Sequence, residues 1–518
     1  MKKQWVALTA LALFTSAPVR AWAYHEQIHE QLDRLAQAPA LLAQPLPPVD
    51  ASVVKDLVNQ VWNAGASHSD PATRIAFLKR YPDRAQFDRW ALKEFLGLNP
   101  DAQVGGIDVF DGIGAPLTVA SVLAKASRWP DDDQRNRNRF AHGSDRKVVQ
   151  DSFGRPTPAD PRQLDMGTLS GTSSQAYAHY GLPQLEFSND PEVLKKEPRR
   201  FLYPVTAYAW AREFAQMHTD LGLIAATLSE PGGKTLALIY AGNAHHYIED
   251  VANQIHTLQA IYPFFFDAKI GSYKEELRSL GGILGPRPDF VDIGVHIITN
   301  HHLLAEELFM RHVTRALSGG DEAPSVKQAV TAVHDGDPEL DLALRDLPSD
   351  FATFITSAVI ERSSLEGGDV YETIRALGVN YMSSWRGTFE TGYDPDPYLK
   401  QPVDRAQLDH FYTLQGRGFA RAGSAIRAHL TRFVALTQGR DDKAMAALRK
   451  EAGERLVSAQ IHWMQQRDSA AMGYIPKPTK DAPINPLPLL IALLGASFAV
   501  GVLTLLVRRH ERRRKFGS

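Results

Sequence analysis

Ala241-Gly242-Asn243-Ala244-His245-His246-Tyr247-Ile248-Glu249-Asp250-Val251-Ala252-Asn253-Gln254-Ile255-His256 concentrates ionisable groups inside an otherwise apolar segment. The surrounding stretch, Lys234–Ile255, carries apolar residues at three- and four-residue spacing, which predicts a helix. On that helix His246 and Asp250 project from one face with Cβ atoms about 5–6 Å apart, close enough to share a metal ion or to bind adjacent ones. His256 falls on a different angular sector if the helix stays regular. It joins the same site only through a bend or a helix end, or by binding a neighbouring ion. A second segment, Asn300-His301-His302-Leu303-Leu304-Ala305-Glu306, repeats the four-residue spacing with His302 and Glu306. Two helices that each turn an imidazole and a carboxylate inward are how bundles build metal clusters.

The same periodicity runs outward through Glu26–Gln37, Ala211–Leu228, Ile293–Leu317, Gln407–Thr437 and Asp441–Gln465, and alternating strand-like runs are scarce. The expected fold class is all-α. Asn99–Gly114, Pro130–Asn189 and Tyr393–Val403 are rich in Gly, Pro and polar residues and read as irregular connections of the length that functional loops have.

Composition limits the chemistry. The 518 residues are 44% hydrophobic and 22% charged, a globular balance. Lys and Arg number 57 against 59 Asp and Glu, a net charge of -2, so no global basic field draws the chain to nucleic acid. With 0 Cys there are no disulfides, thiolate metal sites or cysteine nucleophiles, and the 18 His with the carboxylates must supply any metal or acid–base site. Imidazole and carboxylate without thiolate suit Zn²⁺ best, ahead of Mn²⁺, Fe²⁺ or Ni²⁺.

Both ends are apolar. Met1-Lys2-Lys3, the run Trp5–Phe14 and the small residues up to Ala21 have the layout of a secretory signal peptide, expected over residues 1–21, although Ala23 offers a second cleavage point. Leu489–Val507 is uncharged and long enough to cross a hydrocarbon core, and the basic tail of residues 508–518 follows it. By the positive-inside rule the tail is cytoplasmic. The expected location is the inner membrane, single-pass, with the body on the periplasmic side. A Pro-rich linker at 477–488 separates the transmembrane helix from that body.

His246-x3-Asp250-x5-His256 followed by His302-x3-Glu306 resembles the metal core of the bacterial zinc-dependent phospholipases C and the related fungal single-strand-specific zinc nucleases. The resemblance covers about residues 22–310 and leaves 311–476 as an additional helical region without a family reading. It implies an all-helical fold with three clustered zinc ions. Cleavage after Ala21 would free Trp22, whose α-amine and carbonyl bind one zinc in the family, together with His25 or His29. Asp250 would bridge that zinc to a second, completed by His256, His302 and Glu306. The third would be held by Asp131 of Arg128-Trp129-Pro130-Asp131, by His246 and by His142 or His179. The family's Pro two residues before the third His is missing from Gln254-Ile255-His256, so the bend there must arise otherwise.

The implied activity is hydrolysis of a phosphodiester, foremost a phospholipid headgroup bond, with Asp131 as candidate general base. One rival keeps the zinc site for single-stranded nucleic acid, with Tyr177, Tyr180, Phe201 and Tyr203 beside Arg199 and Arg200 as stacking residues. Another is a membrane-tethered metal-binding or interaction protein without turnover. His68, His218, His312, His334, His410, His429 and His462 read as surface or core residues, and His245, His296 and His301 as supports beside the ligands.

Overall fold

The structure, a computed structural model, describes residues 26–88, 117–131, 148–150, 156–158, 181, 211–257, 305–306, 308–320, 322–378 and 399–469. Met1–Met472 forms one compact unit and Gly473–Ser518 a second, which lies outside the described residues. Among the described residues the first unit is all-α apart from one antiparallel ribbon, β1 (Val148–Gln150) with β2 (Pro156–Pro158).

Five of the six expected helical segments are present: α1 (Glu26–Ala36), α5 (Ala211–Ala226), α6 (Gly232–Ala252), α10 (Arg405–Thr437) and α11 (Asp442–Ser469). Of Ile293–Leu317, residues 305–306 and 308–317 are described and helical. Among the described residues the four-residue helix Pro39–Leu42 and six longer ones join them: α2 (Ala51–Ala66), α3 (Pro71–Arg80), α4 (Val119–Arg128), α7 (Pro324–Asp335), α8 (Pro338–Ala343) and α9 (Phe351–Leu377). Side-chain caps fix where several begin. Asp50, Asp70, Asp337 and Asp404 each accept the first free backbone N–H groups of α2, α3, α8 and α10, and Thr118 with Ser121 forms a reciprocal capping box on α4.

The sequence of α6 explains its central place. Every residue from Gly232 to Ala252 except Lys234 is buried, so no face is left for water, and a helix apolar nearly all round must be enclosed by others. α4, α5, α9 and α10 surround it, with α1 in lighter contact. α11 closes the outer side against α5 and α2. There Arg455 forms a bidentate pair with the buried Asp220, and Arg449 donates to the Thr227 carbonyl just past the end of α5. Helices from 311–476 therefore share one core with those from 22–310.

Among the described residues no helix is long and apolar enough to cross a membrane. Leu489–Val507, the leader, the linker and the basic tail all lie outside them.

Candidate metal centre

Burying ionised groups costs free energy unless they are paired or bind a cation. The middle of α6 nevertheless carries His245, His246, Glu249 and Asp250, each fully buried. Close helix approaches hold this polar core together. A Cβ on Gly242 would sit 2.7 Å from Ala126 Cβ and 2.9 Å from the Leu123 carbonyl, so the glycine lets α4 lie directly on α6. That contact puts the Ser127 carbonyl 2.7 Å from His246 Nδ1. A carbonyl only accepts, so Nδ1 of His246 carries the proton and Nε2 faces Asp250.

From α1, His29 reaches the same carboxylate. His29 Nε2 lies 3.5 Å from Asp250 Oδ1, and His246 Nε2 lies 3.3 Å from Asp250 Oδ2. The two rings stand 4.2 Å apart between centroids, and one donor atom from each of His29, His246 and Asp250 falls within 4.8 Å of the others. Zinc–ligand bonds of about 2.0–2.1 Å in a tetrahedron separate neighbouring ligand atoms by about 3.3–3.4 Å. Each imidazole–carboxylate separation here is close to one edge of such a polyhedron, each to a different oxygen of Asp250, and the donor set is the nitrogen and oxygen one that zinc accepts. His29, His246 and Asp250 form a group able to hold a metal ion.

Glu249, which sequence reasoning passed over as a ligand support, grips the far side of His29, with Oε2 2.5 Å from Nδ1. A carboxylate on the second nitrogen of an imidazole fixes both the tautomer and the ring plane when the first nitrogen binds metal. Burial, with added repulsion from the Asp33 and Asp250 carboxylates, pushes the Glu249 carboxyl well above its ordinary range. Burial does the same to Asp250. A bound cation reverses this tendency, because its charge favours the ionised carboxylates.

A second polar chain ties α1, α6, α10 and α5 together beside this group. Asp33 Oδ1 is 2.7 Å from His245 Nδ1, His245 Nε2 is 3.1 Å from His429 Nδ1, and His429 Nε2 is 2.8 Å from Thr219 Oγ1. The Thr219 hydroxyl donates to the Ala215 carbonyl, so His429 donates from Nε2 and accepts at Nδ1. Burial first, and then the neighbouring His245, hold the His429 imidazole well below its ordinary pKa, consistent with a neutral ring. His429, which reads from sequence as an ordinary core or surface residue, is a buried strut behind the helix that carries the candidate ligands.

The bend before His256 needs no proline. Asn253 takes φ -72° and ψ 112°, ending α6, and a 3-10 turn, Gln254–Thr257, follows. Gln254 pins that turn by donating to the Leu414 carbonyl of α10 at 2.5 Å and to Glu366 of α9 at 3.1 Å, where Arg421 holds Glu366 at 2.8 Å. His256 thereby comes to 3.6 Å from the buried Glu306. Gly181 donates its N–H to the His256 carbonyl at 3.0 Å, and a Cβ there would stand 2.4 Å from Ile360 and 2.8 Å from Val251, so only glycine fits.

The structure thus groups His29, His246 and Asp250, and separately pairs His256 with Glu306. Of the alternatives His25 and His29, His29 belongs to the group, and His25 is not among the described residues. The backbone of Asp131 closes the 3-10 turn Trp129–Asp131, which packs against α6. Trp22, His25, His142, His179 and His302 lie outside the described residues, as does the side chain of Asp131. Tyr177, Tyr180, Arg199, Arg200, Phe201 and Tyr203 do so too.

No known protein family, no curated protein and no solved structure matches the chain.

Proposed function

We propose that this chain is an exported, membrane-anchored zinc-dependent phosphodiester hydrolase acting on phospholipid headgroup bonds. The observation that carries the reading is the buried His29, His246 and Asp250 group, whose donor spacing suits zinc. On this reading three ions bind, the remaining ligands being Trp22, Asp131, His142 or His179, His256, His302 and Glu306. Bound zinc supplies Lewis acidity toward phosphate oxygens and lowers the pKa of water toward neutrality. Asp250 would hold one ion together with His29 and His246, so His246 joins that ion rather than the third one, to which the resemblance assigns it. Ser127 and Glu249 orient His246 and His29 through their Nδ1 atoms, so neither ring has to reorganise during turnover. Asp131, the last residue of the turn that abuts α6, would take the proton of the attacking water as general base.

The signal peptide at 1–21 and the transmembrane helix at 489–507 would place this site on the periplasmic face of the inner membrane. Tethering raises its effective concentration toward bilayer substrate.

The test offers the zinc-loaded full chain, in neutral detergent, phosphatidylcholine and single-stranded DNA side by side. Release of phosphocholine, reduced at least about 100-fold in Asp250→Asn, is the expected result. Cleavage of DNA alone would favour the nuclease reading. Zinc uptake with both substrates untouched would favour a tethered metal-binding protein without turnover.

A further inference from the structure

α10 works on two sides. Its buried side carries Ala425, Ile426, His429 and Phe433 into the core. Away from these, α10 together with α8 and the loop after it forms a cleft of about 300 Å³ to which Arg345, Arg427, Arg432, Asp341, Ser424 and Thr431 contribute. Three guanidinium groups against one carboxylate leave a surplus of two positive charges in one concavity.

Two of these three cations are not spent on protein partners. Arg345 makes no hydrogen bond or ion pair among the described residues, and neither does Arg432, whose Nε is shut off from solvent without an acceptor. Asp341 pairs with none of the three. Arg427 commits one nitrogen, Nη1, to the Val333 carbonyl at 2.6 Å, which fixes its guanidinium at the cleft. Ser424 Oγ accepts the Asp337 N–H at 2.8 Å and keeps its own proton to donate. Guanidinium groups that line one concavity, with a hydroxyl beside them, supply the charge and the hydrogen-bond donors that a phosphate group takes, and like charges left unpaired favour binding an anion.

We propose that this cleft is a binding site for a phosphate group, presented by a soluble phosphomonoester or by a lipid headgroup. The cleft is a feature of the outer side of α10 and is independent of the metal centre.

The experiment uses the full chain in neutral detergent, treated with chelator so that phosphate cannot bind through zinc. Glycerol phosphate is titrated calorimetrically at constant ionic strength set with chloride, and vesicles of phosphatidic acid in phosphatidylcholine are tested by co-sedimentation. Saturable binding is expected, weakened at least tenfold in Arg432→Ala and in Arg345→Ala and unchanged in Arg440→Ala, which replaces an exposed arginine outside the cleft. Arg345 is itself exposed, so its truncation leaves the fold intact, and the rise in melting temperature with glycerol phosphate should vanish with the binding. Cleft-dependent binding of both ligands identifies the phosphate group itself as the determinant, and binding of vesicles alone identifies the headgroup as the source. Equal binding by wild type and both cleft variants, or displacement by chloride, overturns the proposal.

Discussion

Glu249 and Asp250 are neighbours in the chain with different work. Asp250 faces the two imidazole Nε2 atoms, and Glu249 holds His29 from behind. Replacing Glu249 with Leu should leave the ligands present but the His29 ring free to turn, weakening zinc binding about 10–100-fold as read by competition with a chelator. Glu249→Gln, which keeps an acceptor for Nδ1–H, should lose less. Wild-type affinity in Glu249→Leu would contradict this role. The raised carboxyls also predict a pH dependence. In the metal-free fold Glu249 and Asp250 retain protons that the unfolded chain releases near its ordinary carboxylate values of 4.5 and 3.8, so their contribution to stability is full below those values and is lost as pH rises toward the raised ones. Urea titrations should show a downward pH slope in wild type that is shallower in Glu249→Gln. Zinc should reverse it, because the ion binds the ionised form. A wild-type slope that matches the variant's would contradict the assignment. His246 and Asp250 were legible because four-residue spacing on a helix fixes a shared face. Glu249 was not, because its partner lies 220 positions away and no local period encodes that contact.

At the scale of elements, the centre depends on how closely α4 can lie on α6. Gly242→Ala would drive a methyl group into Ala126 and the Leu123 carbonyl, and backbone gives way less readily than a side chain. A loss of about 1–3 kcal/mol is expected, with reduced zinc affinity because Ser127 moves off His246. A thermal melt and a zinc titration indistinguishable from wild type would show that the helices have slack there. Periodicity located α1, α5, α6, α10 and α11 to within a few residues, since each has a continuous apolar pattern. α9 was missed: its Gly367-Gly368 pair and its Ser and Thr residues weaken local helix preference, and tertiary packing against α10 and α5 overrides that preference. The absence of a Pro before His256 correctly posed the question of the bend, but its answer, Gln254 bonded to α9 and α10, is tertiary.

At the scale of the molecule, α9 and α10 are part of the same unit as the candidate ligands and not an appended module. His429 of α10 bonds His245, and Glu366 of α9 with the Leu414 carbonyl holds the turn before His256. A chain ending after residue 310 should therefore lack a cooperative thermal transition and high-affinity zinc binding, whereas one ending after residue 472 keeps both. Cooperative folding of the shorter chain, measured by calorimetry, would show that the helices beyond it are dispensable.

Anomalous diffraction at the zinc absorption edge, from crystals of the zinc-loaded chain, tests the central claim most directly. The account predicts a strong peak bonded to His29 Nε2, His246 Nε2 and the Asp250 carboxylate, and its loss in Asp250→Asn. Zinc bound elsewhere, or no peak among these three side chains in a wild-type crystal, would contradict it.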